Sequence, residues 1–203
     1  KFNEEGEWIL PSANELSPAR IARVIASRIQ KYHDDETMQK RLAWLNAKEQ
    51  ELAKPRNTTH RMPTFCSGCP HNTSTKVPEG SRALAGIGCH YMATWVRPDT
   101  TQTFTQMGGE GVPWVGQSHF TDEKHVFANL GDGTYYHSGI LAIRQSLGAN
   151  VNITYKILFN AAVAMTGGQP VDGPLTIQGL TKQLHGEGVG RIAIVADDPN
   201  KYP

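Results

Sequence analysis

Several features that would announce a function class at once are scarce or missing. No apolar run approaches the roughly 20 residues that a bilayer-crossing helix needs. The opening Lys1-Phe2-Asn3-Glu4-Glu5 also lacks the charged-then-apolar layout of a signal peptide. No membrane association is expected, and the cytoplasm is the default location. Excess charge of one sign is missing too: 20 basic and 19 acidic residues leave a net charge of +1, which gives no reason to expect a nucleic-acid partner. Cysteine is rare. Three of them cannot close a disulfide framework, and two stand as Cys66-Ser67-Gly68-Cys69, which fits metal or redox chemistry better. The glycine-rich Met107-Gly108-Gly109-Glu110-Gly111 has no following Gly-Lys-Ser/Thr, which excludes a P-loop nucleotide triphosphatase and leaves a cofactor loop or a plain turn. There is no internal repeat and no low-complexity tract.

What is present suits a globular protein: 203 residues, 38% of them hydrophobic, are enough for one main domain and an appendage. Residues 1–60 read as a helical linker or arm. Ser17-Pro18 offers a cap and a first-turn proline, after which Ile21, Val24, Ile25 and Ile29 recur at helical spacing. A second helix is expected from Glu36 to Leu52, with Met38, Leu42, Leu45 and Leu52 on a thin apolar face, ended by Lys54-Pro55-Arg56-Asn57. From Arg61 the composition turns to Gly, Pro, Cys and His, and turn formers interrupt every apolar segment up to about residue 120.

A clearer order follows. Val126–Leu130 reads as a short buried strand, Ser138–Leu147 as a helix and Ile153–Phe159 as a second strand, which makes a βαβ unit. Thr176–His185 reads as a helix with Ile177, Leu180 and Leu184 inward, and Arg191–Ala196 as a further buried strand. Alternation of this kind predicts an α/β fold, a parallel sheet with right-handed crossovers and helices on both faces. The first residue is not Met and the chain stops just after that last run, so both ends read as cuts.

In an open parallel sheet, ligands bind beyond the carboxyl ends of the strands. The first strand ends in Gly131-Asp132-Gly133, where glycines turn the backbone tightly around a carboxylate and a helix start can offer N–H groups to phosphate. The second ends in Asn160, an oxygen donor, with 26 residues between Gly133 and Asn160, enough for one helix and one returning strand. Magnesium takes hard oxygen ligands, few from protein and the rest from phosphate and water, and Asp132 with Asn160 suits it. Cys66, Cys69 and, with nineteen residues between, Cys89 in Gly86-Ile87-Gly88-Cys89-His90 suit zinc or an iron–sulfur cluster. For the CxxC pair, metal ligation, redox activity and plain burial all stand open, as does zinc with His71 or His90 as a further ligand. His71 and His137 are candidates to face a cofactor. Trp95, Trp114, Tyr135 and Tyr136 either line an aromatic pocket or fill the core.

Gly131-Asp132-Gly133, Asn160 and then Thr166-Gly167-Gly168-Gln169 together resemble the thiamine-diphosphate signature of the 2-oxoacid:ferredoxin oxidoreductase family. Phe65-Cys66-Ser67-Gly68-Cys69-Pro70-His71-Asn72, with Ala164-Met165 before the TGGQ, is similar to its indolepyruvate branch. The resemblance runs from about Arg61 to Tyr202, so residues 61–203 are expected to form a thiamine-diphosphate-binding domain with a cysteine-rich entry segment, truncated at its C-terminus. It implies that Asp132, Asn160 and the Ala162 carbonyl hold Mg²⁺ beside thiamine diphosphate, with Gly131, Gly133, Thr166, Gly167, Gly168, Gln169, His71 and His137 around the cofactor. Cys66, Cys69 and Cys89 are then three ligands of a [4Fe–4S] cluster whose fourth cysteine, in the family, comes later in the chain than the TGGQ. An acidic residue often follows the Asn in this family, so Ala161 is a departure; because the metal uses the neighbouring carbonyl, a tuned site is expected, not a dead one.

The activity implied is oxidative decarboxylation of an arylpyruvate such as indolepyruvate to an acyl-CoA, with ferredoxin as electron acceptor. Partners are then a pyrimidine-binding domain of the same enzyme, which carries the activating glutamate, ferredoxin, coenzyme A and the 2-oxoacid, in a homo-oligomer. The isolated chain is expected to be inactive. Two other readings stand beside this one: a non-catalytic zinc-stabilised α/β module, and the same chemistry on pyruvate or 2-oxoglutarate.

Overall fold

The computed structural model describes residues 2–54 and 60–202. The chain divides into two compact units, Lys1–His60 and Arg61–Pro203.

The first unit holds α1 (Pro18–Ile29) and α2 (Glu36–Ala53). Ser17 caps α1 by accepting from the Arg20 N–H, with Pro18 in the first turn, and Asp35 caps α2 by accepting from the Met38 N–H. Both helices start where their capping residues predict. Helix α2 ends at Ala53, followed by an extended Lys54; Pro55, Arg56 and Asn57 of the expected break lie outside the described residues. The helices meet through Arg23, whose Nε donates to Asn46 Oδ1 at 2.8 Å and whose guanidinium pairs with Glu49. The isoleucine stripe at helical spacing is not covered: Ile21, Ile25 and Ile29 are exposed, and only Ala26 of α1 is buried.

The second unit runs α3 (His71–Ser74), β1 (Ala83–Ala85), α4 (Ala93–Val96), β2 (Thr101–Phe104), α5 (Val112–Gln117), β3 (Val126–Gly131), α6 (Asp132–Thr134), α7 (Ile140–Gly148), β4 (Ile153–Leu158), β5 (Ala162–Val163), β6 (Gln169–Pro170) and α8 (Ile177–Gly186). Strands β2, β1, β3 and β4 lie side by side in that order, all parallel, with β3 and β4 in register from Val126↔Ile153 to Gly131↔Leu158. Parallel pairing needs a crossover, and the helical run from Asp132 to Gly148 supplies the one between β3 and β4.

Alternation along the strands sets the two faces. Leu84, Val126, Ala128 and Leu130 point to one face, where Trp114 of α5, Ile143 of α7, and Leu180 and Leu184 of α8 cover them. Lys156 points to the opposite face, where it meets the segment carrying α3. The doubly covered parallel sheet expected from the sequence is the architecture observed. One strand is not: among the described residues 191–196 carry no strand, and Ile192, Ile194 and Val195 are exposed. A short apolar run becomes a buried strand only when an edge pairs with it and a layer covers it, and among the described residues this run has neither. Thr176 caps α8 by accepting from the Gly179 N–H, close to the expected start.

Candidate functional site

The carboxyl ends of β1, β3 and β4 open at one edge of the sheet, and polar residues collect there. Asp132 follows the last residue of β3 and is 3% exposed, an unusual position for a carboxylate without compensation. Compensation comes from three backbone amides. The Gly133 N–H donates to Oδ1 at 2.8 Å, and the Asn160 and Ala161 N–H groups donate to Oδ2 at 2.9 and 2.6 Å. Two donors occupy the lone pairs of Oδ2, so Oδ1 keeps one free for a further ligand. Asn160 is exposed beyond the end of β4, and its Oδ1 accepts from the Ala162 N–H at 3.0 Å. Asp132, Asn160 and Ala162, separated in sequence, therefore form one hydrogen-bonded constellation.

The Thr166-Gly167-Gly168-Gln169 stretch closes a hairpin in which β5 pairs antiparallel with β6. The Thr166 Oγ1 and Gln169 Oε1 lie 3.0 Å apart, the Gln169 Nε2 donates to the Thr166 carbonyl at 2.8 Å, and the Gly168 N–H donates to the Val163 carbonyl at 3.1 Å. Gly167 and Gly168 have φ of +122° and +77°, values that only glycine adopts readily. The hairpin sits on the Gly-Asp-Gly turn: a Cβ on Gly133 would stand 3.4 Å from a Val163 methyl.

After Asp132 the helix widens into a π-helical turn over Tyr135–Gly139. Such turns are rare and recur at functional sites. Here it buries Tyr135 and leaves Tyr136 and His137 exposed, with His137 Nδ1 2.6 Å from Ser138 Oγ. Of the four aromatic candidates, Trp114 and Tyr135 are core residues at 1% exposure, whereas Tyr136 and Trp95 are exposed.

Two buried ionisable residues share this edge. Neither His90 as a neighbour of the Gly-Asp-Gly turn nor Glu110 on its own follows from the sequence pattern. His90 is buried against Gly131, where a Cβ would stand 3.4 Å from its Cε1. Burial, and then the nearby His71, push its pKa down to about 4. Glu110 is buried in the glycine-rich loop. Its Oε2 accepts from the Gly108 N–H at 2.7 Å, its carbonyl accepts from the Tyr155 hydroxyl at 3.0 Å, and burial raises its carboxyl above the ordinary range. Both press on Gly86, where a Cβ would stand 2.6 Å from His90 Nε2 and 3.0 Å from Glu110 Cγ. The signal in the sequence was one acid alone among glycines. His71 is half-buried; burial lowers its pKa and the Asp132 charge partly offsets that, which brings it within the field of the Gly-Asp-Gly carboxylate.

Cys66 is exposed, Cys69 and Cys89 are half-buried, and all three are free thiols. Burial, then Cys69 and Cys66, raise the pKa of the Cys89 thiol, so the three sulfurs feel one another's charge. Among the described residues, however, no group of three His, Cys, Asp or Glu side chains is close enough to hold a metal ion.

A parallel α/β sheet with Gly-Asp-Gly and Asn at adjacent strand ends defines a cofactor-binding domain of the class that grips a diphosphate at the sheet's carboxyl edge. The sequence profile of the thiamine pyrophosphate enzyme C-terminal TPP-binding domain matches residues 86–192, and the chain belongs to that family. Curated relatives are similar too. The chain is 29% identical over 150 residues to an indolepyruvate oxidoreductase subunit IorA from Thermococcus kodakarensis, covering 64% of this chain and 23% of the relative. It is 31% identical over 134 residues to the protein of the same name from Archaeoglobus fulgidus, covering 63% and 21%. The chain thus spans about a fifth of the length of these relatives.

Proposed function

We propose that residues 61–203 are the thiamine-diphosphate-binding part of an indolepyruvate:ferredoxin oxidoreductase, with residues 1–60 as a helical arm. The observation that carries this is the Asp132 carboxylate, buried at the end of β3 and tied to the Asn160 and Ala161 amides at the end of β4. The donor set fits Mg²⁺: Asp132 through its free Oδ1 lone pair, the Asn160 side chain and the Ala162 carbonyl are hard oxygens, and the diphosphate would complete the shell. The glycines at 131, 133, 167 and 168 would leave room for the cofactor, Thr166 and Gln169 would offer it polar groups, and His71 and His137 would face it.

When bound, thiamine diphosphate supplies stabilisation of the carbanion left as CO₂ departs. The chain's own part is to hold the diphosphate end still, to exclude water behind the Gly-Asp-Gly turn, and to keep the sheet edge open toward a pyrimidine-binding domain of the same enzyme. The Asp132 carboxylate, immobilised by three N–H groups, is preorganised for that task and needs no reorientation on binding. The names of the relatives favour indolepyruvate over pyruvate or 2-oxoglutarate; ferredoxin as acceptor, coenzyme A as co-substrate, a homo-oligomeric enzyme and a cytoplasmic setting rest on the family resemblance alone. A [4Fe–4S] cluster takes four thiolates. This chain offers three, Cys66, Cys69 and Cys89, so its residues do not complete that site, and the function rests on the thiamine site alone.

The test is thermal unfolding of the chain with and without thiamine diphosphate plus Mg²⁺, because a ligand that binds only the folded state raises the midpoint. A rise in the wild-type chain that disappears in Asp132→Ala is expected. Equal midpoints for wild type with and without cofactor, persisting after addition of the partner domain, would overturn the assignment.

A further inference from the structure

Two cations, Lys156 and Arg97, hold the segment around α3. Among the described residues neither forms an ion pair; both spend their donors on one short stretch of chain instead. The Lys156 Nζ donates to the carbonyls of Ser74, at 3.1 Å, and Lys76, and lies 5.0 Å from the Phe127 ring centroid. Arg97 donates through Nη1 to Thr75 Oγ1 at 2.9 Å and through Nη2 to the Asn72 carbonyl, with its guanidinium carbon 5.9 Å from the Phe65 ring centroid. Thr75 is fully buried, and its hydroxyl donates to the His71 carbonyl at 2.5 Å.

The two cations therefore bracket the CxxC segment, touching Phe65 just before Cys66 and residues 72 to 76 just after Cys69-Pro70-His71. Helix α3 has only four residues, too few to hold itself together, and its last carbonyls have no partner within the helix. Placing two like charges close together costs energy; burial and then Arg97 lower the Lys156 pKa. Such an arrangement persists where the carbonyls it satisfies are worth more than the repulsion. Lys156 also stands on β4, in register with Asn129 and four residues before Asn160.

We propose that Lys156 and Arg97 are positioning residues for the cysteine segment, residues 65–76: Lys156 ties it to β4, the strand that Asn160 follows, and Arg97, at the end of α4, holds it from the other side. Seating of Cys66 and Cys69 beside Cys89 then depends on β4 and not on the loop itself. The inference extends the proposed function, because it makes the thiol group and the thiamine edge share one strand, yet the clamp exists without any cofactor and is tested without one.

The experiment is amide hydrogen exchange on the full chain. In Lys156→Met, which keeps the length and removes the charge, protection of the amides at 72–76 falls about ten-fold or more while protection of β3, residues 126–131, stays at the wild-type level. Lys156→Arg keeps a cationic donor and restores most of it. Arg97→Gln, which leaves the sheet untouched, loosens the same amides and serves if Lys156→Met does not fold. Unchanged protection at 72–76, a uniform loss that includes β3, or no rescue by Lys156→Arg would each overturn the clamp. Thermal shifts with thiamine diphosphate plus Mg²⁺ on the same proteins report on the cofactor reading alone: no shift in wild type counts against that reading and leaves the clamp standing.

Discussion

Asp132 and Ala161 are joined by a 2.6 Å hydrogen bond from the Ala161 amide to Asp132 Oδ2, across the gap between two strand ends. The same oxygen accepts from Asn160, so one carboxylate holds the whole turn that follows β4. Asp132→Asn puts an amide group where acceptors are needed and leaves at least one of the three N–H groups without its partner. Hydrogen bonds to charged groups contribute ~1.5–3 kcal/mol, so chemical denaturation should show a loss of about that size. Asp132→Ala should cost as much in stability, and both variants should fail to gain stability from thiamine diphosphate plus Mg²⁺.

Ala161 has φ of +57°, the left-handed region in which a Cβ crowds the following carbonyl. The cost for a non-glycine residue is ~1–2 kcal/mol, held in place here by the bond to Asp132. Ala161→Gly removes the crowding and adds backbone freedom to the unfolded chain, so a net gain of about 0.5–1 kcal/mol is expected. Ala161→Val, branched at the crowded atom, should lower the melting temperature. A Gly variant less stable than wild type would show that this backbone is not strained.

The hydrogen-bonded group of Asp132, Asn160 and Ala162 was legible because these residues follow strand ends, and strand ends are marked by a change from apolar residues to Gly, Asp and Asn. The β3–α7–β4 unit was legible for the same reason: Val126–Leu130 is a short apolar run closed by Gly-Asp-Gly, and the following helix has its own period. Strands β1 and β2 were not, since Ala83-Leu84-Ala85 and Thr101-Gln102-Thr103-Phe104 are too short to show a period and sit between turn formers. The run 191–196 misled in the opposite direction, because an apolar pattern states what a segment can bury and not whether a neighbour is there to cover it. Lys156 looked like any polar strand residue, and its role follows only from which chain segment crosses that face. His90 and Glu110 come together at Gly86 through the fold of two loops, which no local pattern encodes.

Gly86 tests that convergence. A Cβ at this position would stand 2.3 Å from the Asn129 carbonyl oxygen and 2.6 Å from His90 Nε2, and the first of these is backbone within the sheet. The obstacle cannot move without opening β1 from β3, so Gly86→Ala should destabilise the fold by about 1–3 kcal/mol or more, the range for forced overpacking. Gly116→Ala, in helix α5 with open space around it, should not destabilise the fold and serves as the control.

Tyr155 links three elements through one hydroxyl: it lies 2.9 Å from Ser146 Oγ on α7 and donates toward the carbonyls of Glu110, at 3.0 Å, and Ala142, at 3.3 Å. Burial pushes its pKa up to about 12 from the ordinary 10. The folded state therefore keeps the phenol protonated where the unfolded chain has begun to ionise it. The stability this contributes is fully present below pH 10 and is lost as the pH rises through about 12. One pKa unit corresponds to ~1.4 kcal/mol, so the alkaline loss from this group approaches about 2–3 kcal/mol. Tyr155→Phe should cost about 1–2 kcal/mol at neutral pH, because the Glu110 carbonyl and Ser146 lose a partner, and should flatten the alkaline limb of the stability profile. Denaturation midpoints measured from pH 8 to 12 on both proteins check this. Parallel alkaline limbs would place the titrating group elsewhere and remove Tyr155 from its role as the tie between β4 and the glycine-rich loop.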